Sequence, residues 1–160
     1  MLNIVLHEPQ IPPNTGNIAR LCVAMGARLH LIHPLGFTTD EAQMRRAGLD
    51  YWKFLDWIQH ESWKMFFDKH SRCRLHFYSK KATRPYTEAR YEKDDFLIFG
   101  SETKGLPEEI LARHQDQTWT IPMWGPTRSI NLATSVGIVA YEALRQITDG
   151  FKDETWSGDL

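Results

Sequence analysis

Long apolar runs are scarce in this chain. The stretches 96–99 and 138–140 stand out, yet each is far below the roughly 20 residues a membrane helix needs, so no bilayer span is expected. Cysteine is scarce too: Cys22 and Cys73 lie far apart, without a CxxC and without histidine at ligand spacing. That arrangement argues against a disulfide framework or a zinc ribbon, and the thiols read as free and buried. An excess of charge is also missing. With 19 Lys and Arg against 20 Asp and Glu, a net charge of -1 and a pI near 6.6, no whole-molecule field draws in a polyanion, so any nucleic-acid contact must come from a local patch. Neither GxGxxG nor GxxxxGK[ST] follows any strand-like segment, which disfavours a dinucleotide dehydrogenase and a P-loop NTPase. Seven histidines contain no HExxH and no Cys/His cluster by spacing, so no metal is expected. The opening MLNIVLHEP lacks a basic leader and runs into Pro9, Pro12 and Pro13; it reads as a strand, not a signal peptide, and implies a cytoplasmic location.

The 160 residues suit one domain spanning 1–160, with a polar tail from about 149 where Phe151 and Trp156 could dock. Leu2 to Leu6 is β-prone and ends in a Pro-rich turn. A helix follows, capped by Asn14 or Thr15, with Ile18, Leu21, Cys22 and Met25 on its apolar face and Gly26 just past its end. Arg28 to His33 is a second strand, after which Thr39 or Asp40 caps a helix stopping near Gly48. Trp52 to Ile58 is ambiguous. Ser62 caps a helix ending near His70, Arg74 to Tyr78 is a strand, and a polar loop runs to about Asp94. Phe96 to Gly100 is a fully apolar strand, Pro107 opens a helix to about Arg113, and Trp119 to Ile121 is the last strand. The closing helix begins near Asn131. Its residues Leu132, Val136, Val139, Ala140 and Leu144 cover a side broad enough to suggest a symmetric dimer contact. Apolar strands alternating with helices imply an α/β fold, Rossmann-like, with a mostly parallel sheet covered on both faces.

Ligands of such sheets gather at the carboxyl ends of strands. Three segments there are unusual: Pro12 to Arg20, Leu97 to Pro107, and Ile121 to Glu142. Gly100, Gly105 and Gly125 stand where backbone must turn or approach something closely. Basic residues crowd at Lys69, Arg72, Arg74, Lys80, Lys81 and Arg84, with a second spot at Arg45 and Arg46; a solvated face accounts for them equally well. Among six tryptophans core packing is the default, but Trp124 sits in a loop where an exposed ring could stack on a base.

Taken together, Asn14 with Arg20 as N-x5-R, GSETKGLP at 100–107, and IPM with SINLATSVGIVAYE resemble the three signature motifs of the SpoU branch of the SPOUT RNA 2′-O-methyltransferases, in that family's order. The resemblance spans nearly the whole chain. It is strongest to minimal members that carry no appended RNA-binding domain and methylate the wobble ribose of tRNA. Ser101, Thr103, Ile130 and Trp124 depart from common choices and bear on substrate detail more than on the reaction.

The resemblance implies a C-terminal trefoil knot, a homodimer, and methyl transfer from S-adenosyl-L-methionine to a cytidine or uridine 2′-hydroxyl, with S-adenosyl-L-homocysteine as product. It also implies cofactor contacts from Tyr78, Gly100, Ile121, Pro122, Ser129, Ile130 and Leu132. Arg20 ranks first among catalytic candidates. A guanidinium with pKa above about 12 is a poor proton acceptor, so positioning of phosphate or ribose is favoured over a role as base. Glu102 could bond substrate or loop backbone, Ser129 the ribose or cofactor, and Asn131 the knot loop or the final helix. Asn14 could be a cap alone. Two alternatives stay open: another tRNA position or rRNA as target, and a catalytically silent, cofactor-binding RNA assembly factor.

Overall fold

The computed structural model describes residues 1–39 and 52–152. The expected helix from Thr39 or Asp40 to Gly48, the pair Arg45 and Arg46, and Trp156 lie outside those residues in whole or in part. Strand β1 (Asn3–His7) leads into α1 (Pro12–Met25), β2 (Arg28–Ile32), β3 (Trp57–His60), α2 (Trp63–His70), β4 (Leu75–Tyr78), β5 (Phe96–Phe99), α3 (Glu108–Arg113), β6 (Thr118–Trp119) and α4 (Leu132–Ile147). The six strands form one parallel sheet in the order β3-β2-β1-β5-β4-β6. The ambiguous stretch from Trp52 resolves into a 3-10 turn, Trp52–Phe54, followed by β3.

Side-chain alternation on the strands divides the interior in two. Ile4, Leu6, Leu97 and Phe99 point to one face and pack with Ile18, Ala19 and Cys22 of α1 and Val136, Val139 and Ala140 of α4. Val5, Phe96 and Ile98 point to the other, against Phe66 of α2 and Ile110 and Leu111 of α3. The strands are apolar throughout because both faces are covered. Each fully buried Leu, Ile or Phe contributes on the order of 1.5–3 kcal/mol.

Local signals act largely where expected. Ser62 accepts a hydrogen bond from the Met65 amide (3.2 Å), capping α2, a contact worth about 1 kcal/mol. Gly26 ends α1 at φ 62°, in the left-handed region. Helix α1 starts earlier than the cap reading allowed: Ile11 is its N-cap, and Pro12 and Pro13 fill the first positions, where no amide hydrogen is needed. Asn14 and Thr15 are therefore inside the helix and buried, not caps. The last strand is only Thr118–Trp119, extended by a single bridge between Thr120 and Pro85.

Three further expectations are refined. Cys22 is buried but Cys73 is exposed. Leu132, Val136, Val139 and Ala140 are buried within their own chain, whereas Leu144 is half-buried, so most of the apolar side of α4 packs in the core of its own chain. The basic cluster also divides: Lys69 lies in the last turn of α2 and Arg72 just beyond it, before β4, whereas Lys80 and Lys81 follow the carboxyl end of β4.

Candidate active site

The carboxyl ends of β4, β5 and β6 open onto a cleft of ≈ 190 Å³. Its floor is set by β5. A methyl group on Gly100 would sit 2.0 Å from the Gly105 carbonyl carbon and 2.1 Å from the Leu106 nitrogen, so the loop 101–105 folds back onto a backbone that no side chain could occupy. The Gly105 amide donates to the Ser101 carbonyl (2.9 Å), and Gly105 itself takes φ 69°. These two glycines are a matched requirement, one for close approach and one for a left-handed turn.

Beside it, Tyr78 ends β4 and stacks on Phe99 with centroids 4.6 Å apart. Its hydroxyl donates to Tyr91 (3.1 Å), whose own hydroxyl donates to the Tyr86 carbonyl (2.9 Å). Burial, reinforced by Tyr91, raises the Tyr78 hydroxyl well above its ordinary pKa, which keeps it protonated and unsuited to act as a base. The third wall comes from the segment after β6, with Ile121, Met123, Ser129 and Ile130, and from Leu132 and Ser135 in the first turn of α4. Lys80, Lys81 and Lys104 give the rim positive charge. Lys81 is paired with Glu108, and the Lys80 ammonium donates to the Arg128 carbonyl (3.4 Å).

Glu102 ties the three motif segments together. Its carboxylate accepts from the backbone amides of Gln10 (2.8 Å) and Ile11 (3.1 Å) and from Asn14 Nδ2 (3.1 Å). Asn14 Oδ1 in turn accepts from Asn131 Nδ2 (2.9 Å), and Asn131 Oδ1 accepts from the Thr134 amide (3.2 Å), capping α4. The negative charge sits where α1 begins, in favourable alignment with that helix's dipole. Of the two roles open to Glu102, bonding of loop backbone is the one this geometry displays.

The fold thus gathers Tyr78, Gly100, Glu102, Ile121, Ser129, Ile130 and Leu132 around one cleft. Pro122 does not line it, although its two neighbours do. Asn14 and Asn131 stand behind it, holding Glu102 and the start of α4. Arg20 is exposed on α1 and is not among the cleft-lining residues. Sequence reasoning missed Met123, Lys104 and Ser135 as lining residues; each lies inside a motif segment, the only signal that could have marked them. Trp124 is 93% exposed beside this wall, while Trp119 is buried under the Arg84 guanidinium, 4.2 Å from its ring centroid.

A family model for the SpoU rRNA methylases matches residues 1–141. The chain belongs to the SpoU methylase family. Among its relatives, the tRNA (cytidine(34)-2'-O)-methyltransferase of Escherichia coli strain K12 is 47% identical over 148 residues, covering 92% of this chain and 94% of that protein. A solved structure described as giving structural insights into the 2-OH methylation of C/U34 on tRNA superposes with a TM-score of 0.88 at 48% identity, covering 93% and 97% of the two chains. The AdoMet-bound rRNA methyltransferase from Sinorhizobium meliloti is more distant, with a TM-score of 0.79 and 26% identity over 90% of this chain and 56% of that one. The SpoU motifs and the cleft coincide: each motif segment either lines the cleft or is bonded to a residue that does.

The residues present suit S-adenosyl-L-methionine. Gly100 leaves bare backbone at the cleft floor, Ile121, Ile130 and Leu132 offer an apolar slot, and Ser129 and Thr120 offer hydroxyls. A flat base held by apolar walls and a few polar groups needs that combination.

Proposed function

We propose that this protein is an S-adenosyl-L-methionine-dependent tRNA methyltransferase acting on the ribose 2′-hydroxyl of the wobble nucleotide, a cytidine or uridine. The observation that carries the reading is the cleft itself. Its Gly100 floor and its third wall are the SpoU motif segments, in a chain nearly half identical, end to end, to a wobble-ribose methyltransferase. The more distant rRNA relative makes rRNA the second reading; lower identity and partial coverage favour tRNA.

The cofactor supplies an electrophilic methyl on sulfur. Tyr78, Gly100, Ile121, Ser129, Ile130 and Leu132, which line the cleft, would hold it, with Pro122 joining two of the lining residues. For O2′ to accept that methyl, its hydroxyl proton would have to leave. Among the described cleft-lining residues there is no histidine, and the one carboxylate, Glu102, already accepts three N–H groups. Arg20 positions the ribose and its phosphate, so that the phosphate can share the departing proton, and alignment of the two reactants supplies most of the rate. Good alignment is worth on the order of 7–11 kcal/mol.

Arg20 lies outside the cleft of its own chain, which supports a homodimer in which one copy presents Arg20 to the cleft of the other. Tyr141 and Phe151, 45% and 47% exposed with ring centroids 6.4 Å apart, leave an apolar spot at the end of α4 for that contact. Membership of the SpoU family supports the C-terminal trefoil knot. A cytoplasmic location follows from the substrate and from two free thiols, Cys22 and Cys73. No helix among the described residues is long and apolar enough to cross a membrane.

Incubation with methyl-labelled S-adenosyl-L-methionine and total tRNA, followed by nucleoside mapping, tests the proposal. The label should appear as 2′-O-methylcytidine or 2′-O-methyluridine at position 34. Label confined to rRNA, or to another tRNA position, would replace this reading.

A further inference from the structure

The fold brings together three histidines that no sequence spacing connects. His30 is on β2 and His60 ends β3. The register pairs His30 with Ile58 and Ile32 with His60, so His60, two residues beyond Ile58, shares the face on which His30 lies. Helix α2 returns over that face and delivers His70 from its last turn. One ring nitrogen from each of the three falls within 4.8 Å of the others. The cluster is two strand positions or more from β5, the nearest strand of the cleft, roughly 10 Å at the usual strand spacing, and none of its residues lines the cleft.

Hydrogen bonds orient the first ring. Asn3 Nδ2 donates to the Asp94 carbonyl (3.2 Å), which turns Asn3 Oδ1 toward His30 Nε2, 3.2 Å away. Oδ1 can only accept, so His30 carries its proton on Nε2 and presents a lone pair at Nδ1. That lone pair faces His60 Nε2 at 2.9 Å. A histidine whose far nitrogen is anchored by an amide oxygen is the arrangement that fixes ligand tautomers at metal centres. The third ring supplies an independent sign. His70 Nε2 is buried with no hydrogen-bond partner, an unmet need in a site walled by Phe66 and Phe96. Burial foremost, then the neighbouring rings and Lys69, with Arg28 beside His30, oppose protonation of His30 and His60 and keep them in the ligating form.

We propose that His30, His60 and His70 form a binding site for a divalent transition-metal ion, zinc foremost, with a water as fourth ligand. Zinc–nitrogen bonds of about 2.0–2.1 Å place tetrahedral ligand nitrogens about 3.3–3.4 Å apart. The His30–His60 pair opens slightly to reach that spacing, and the half-buried His70 ring, at the free end of its helix, closes on it. His60 moves its proton from Nε2 to Nδ1, so three neutral imidazoles bind and no net proton is released. The bound ion pins α2 to β2 and β3 and serves the fold, not the methyl transfer.

The test uses metal-free full-length protein carrying Cys73→Ser, which removes the exposed thiol as a competing ligand. Calorimetric titration with zinc should show one ion per chain, and cobalt should produce the intense visible bands of a four-coordinate ion. At a hundredfold excess over Kd, zinc should raise Tm by roughly 5–10 °C. His70→Gln, at a half-buried helix end, should fold, weaken zinc binding at least about a hundredfold and abolish the cobalt bands. Absence of one-to-one binding in the parent protein would overturn the proposal. So would zinc binding of unchanged affinity in His70→Gln. Should that variant unfold, nitrogen shifts of the three rings in the parent protein decide: zinc must move all three.

Discussion

At the scale of single residues, Gly100 and Arg20 make opposite predictions. Gly100 meets backbone on its open side, and backbone cannot rotate out of the way. Gly100→Ala should cost at least about 1–3 kcal/mol through overpacking and weaken S-adenosyl-L-methionine binding more than tenfold; thermal melts with and without cofactor check both. Arg20 is exposed on α1. Arg20→Ala should leave stability within about 0.5 kcal/mol and cofactor affinity unchanged, while single-turnover methylation at saturating tRNA falls at least roughly a hundredfold. A wild-type rate under those conditions would reduce Arg20 to a contributor to tRNA binding. Glycine and arginine of this kind were visible in the sequence because their motifs are contiguous. What each one touches was not, since Gly100 is opposed by residues that follow a turn, and Arg20 depends on which cleft it serves.

At the scale of elements, the start of α1 illustrates how a helix boundary can be decided from afar. Asn14 has the chemistry of a cap, whereas Pro12 and Pro13 suit the first helical turn and mark Ile11 as the competing boundary. The difference comes from Glu102, 91 residues further on, whose carboxylate satisfies the Gln10 and Ile11 amides and frees Asn14 to reach Asn131. A double-mutant cycle on Glu102→Gln and Asn14→Ala should therefore show coupling of roughly 0.5–3 kcal/mol, the range for residues sharing one hydrogen-bond network. Additive effects in urea titrations would show the two act separately. By contrast, α2 begins where Ser62 said it would and α1 ends where Gly26 said it would, because those signals act within one turn.

At the scale of the whole molecule, buried histidines set the acid limit. Burial, then His60, His70, Arg28 and Lys69, lower the pKa of His30 to about 3; burial, then His70 and Lys69, lower that of His60 to about 4. His70 is lowered in the same direction. The unfolded chain takes up these protons near pH 6.5, and the folded chain cannot until the pH is far lower. Stability is thus fully present above about 6.5 and is lost as pH falls toward 4. Urea midpoints of metal-free protein should drop across that window, and His30→Asn with His60→Gln should flatten the slope; an unchanged slope would assign the acid limit to other groups. Light scattering should give the mass of two chains at micromolar concentration. A fully active protein with the mass of one chain would remove the need for Arg20 to cross between copies.

The sequence by itself determined the α/β class, the parallel sheet and the three motif segments, because period, capping and turn chemistry are local and each is written in a few adjacent residues. It also pointed to the family, since three ordered motifs rarely arise together by chance. Only the tertiary structure decided that β1 sits between β2 and β5, that α4 spends its apolar face on its own core, and that His30, His60 and His70 meet. Those outcomes depend on strand order and on contacts between residues tens of positions apart, where many pairings satisfy the same hydrophobic pattern and the balance of burial over the whole sheet selects one.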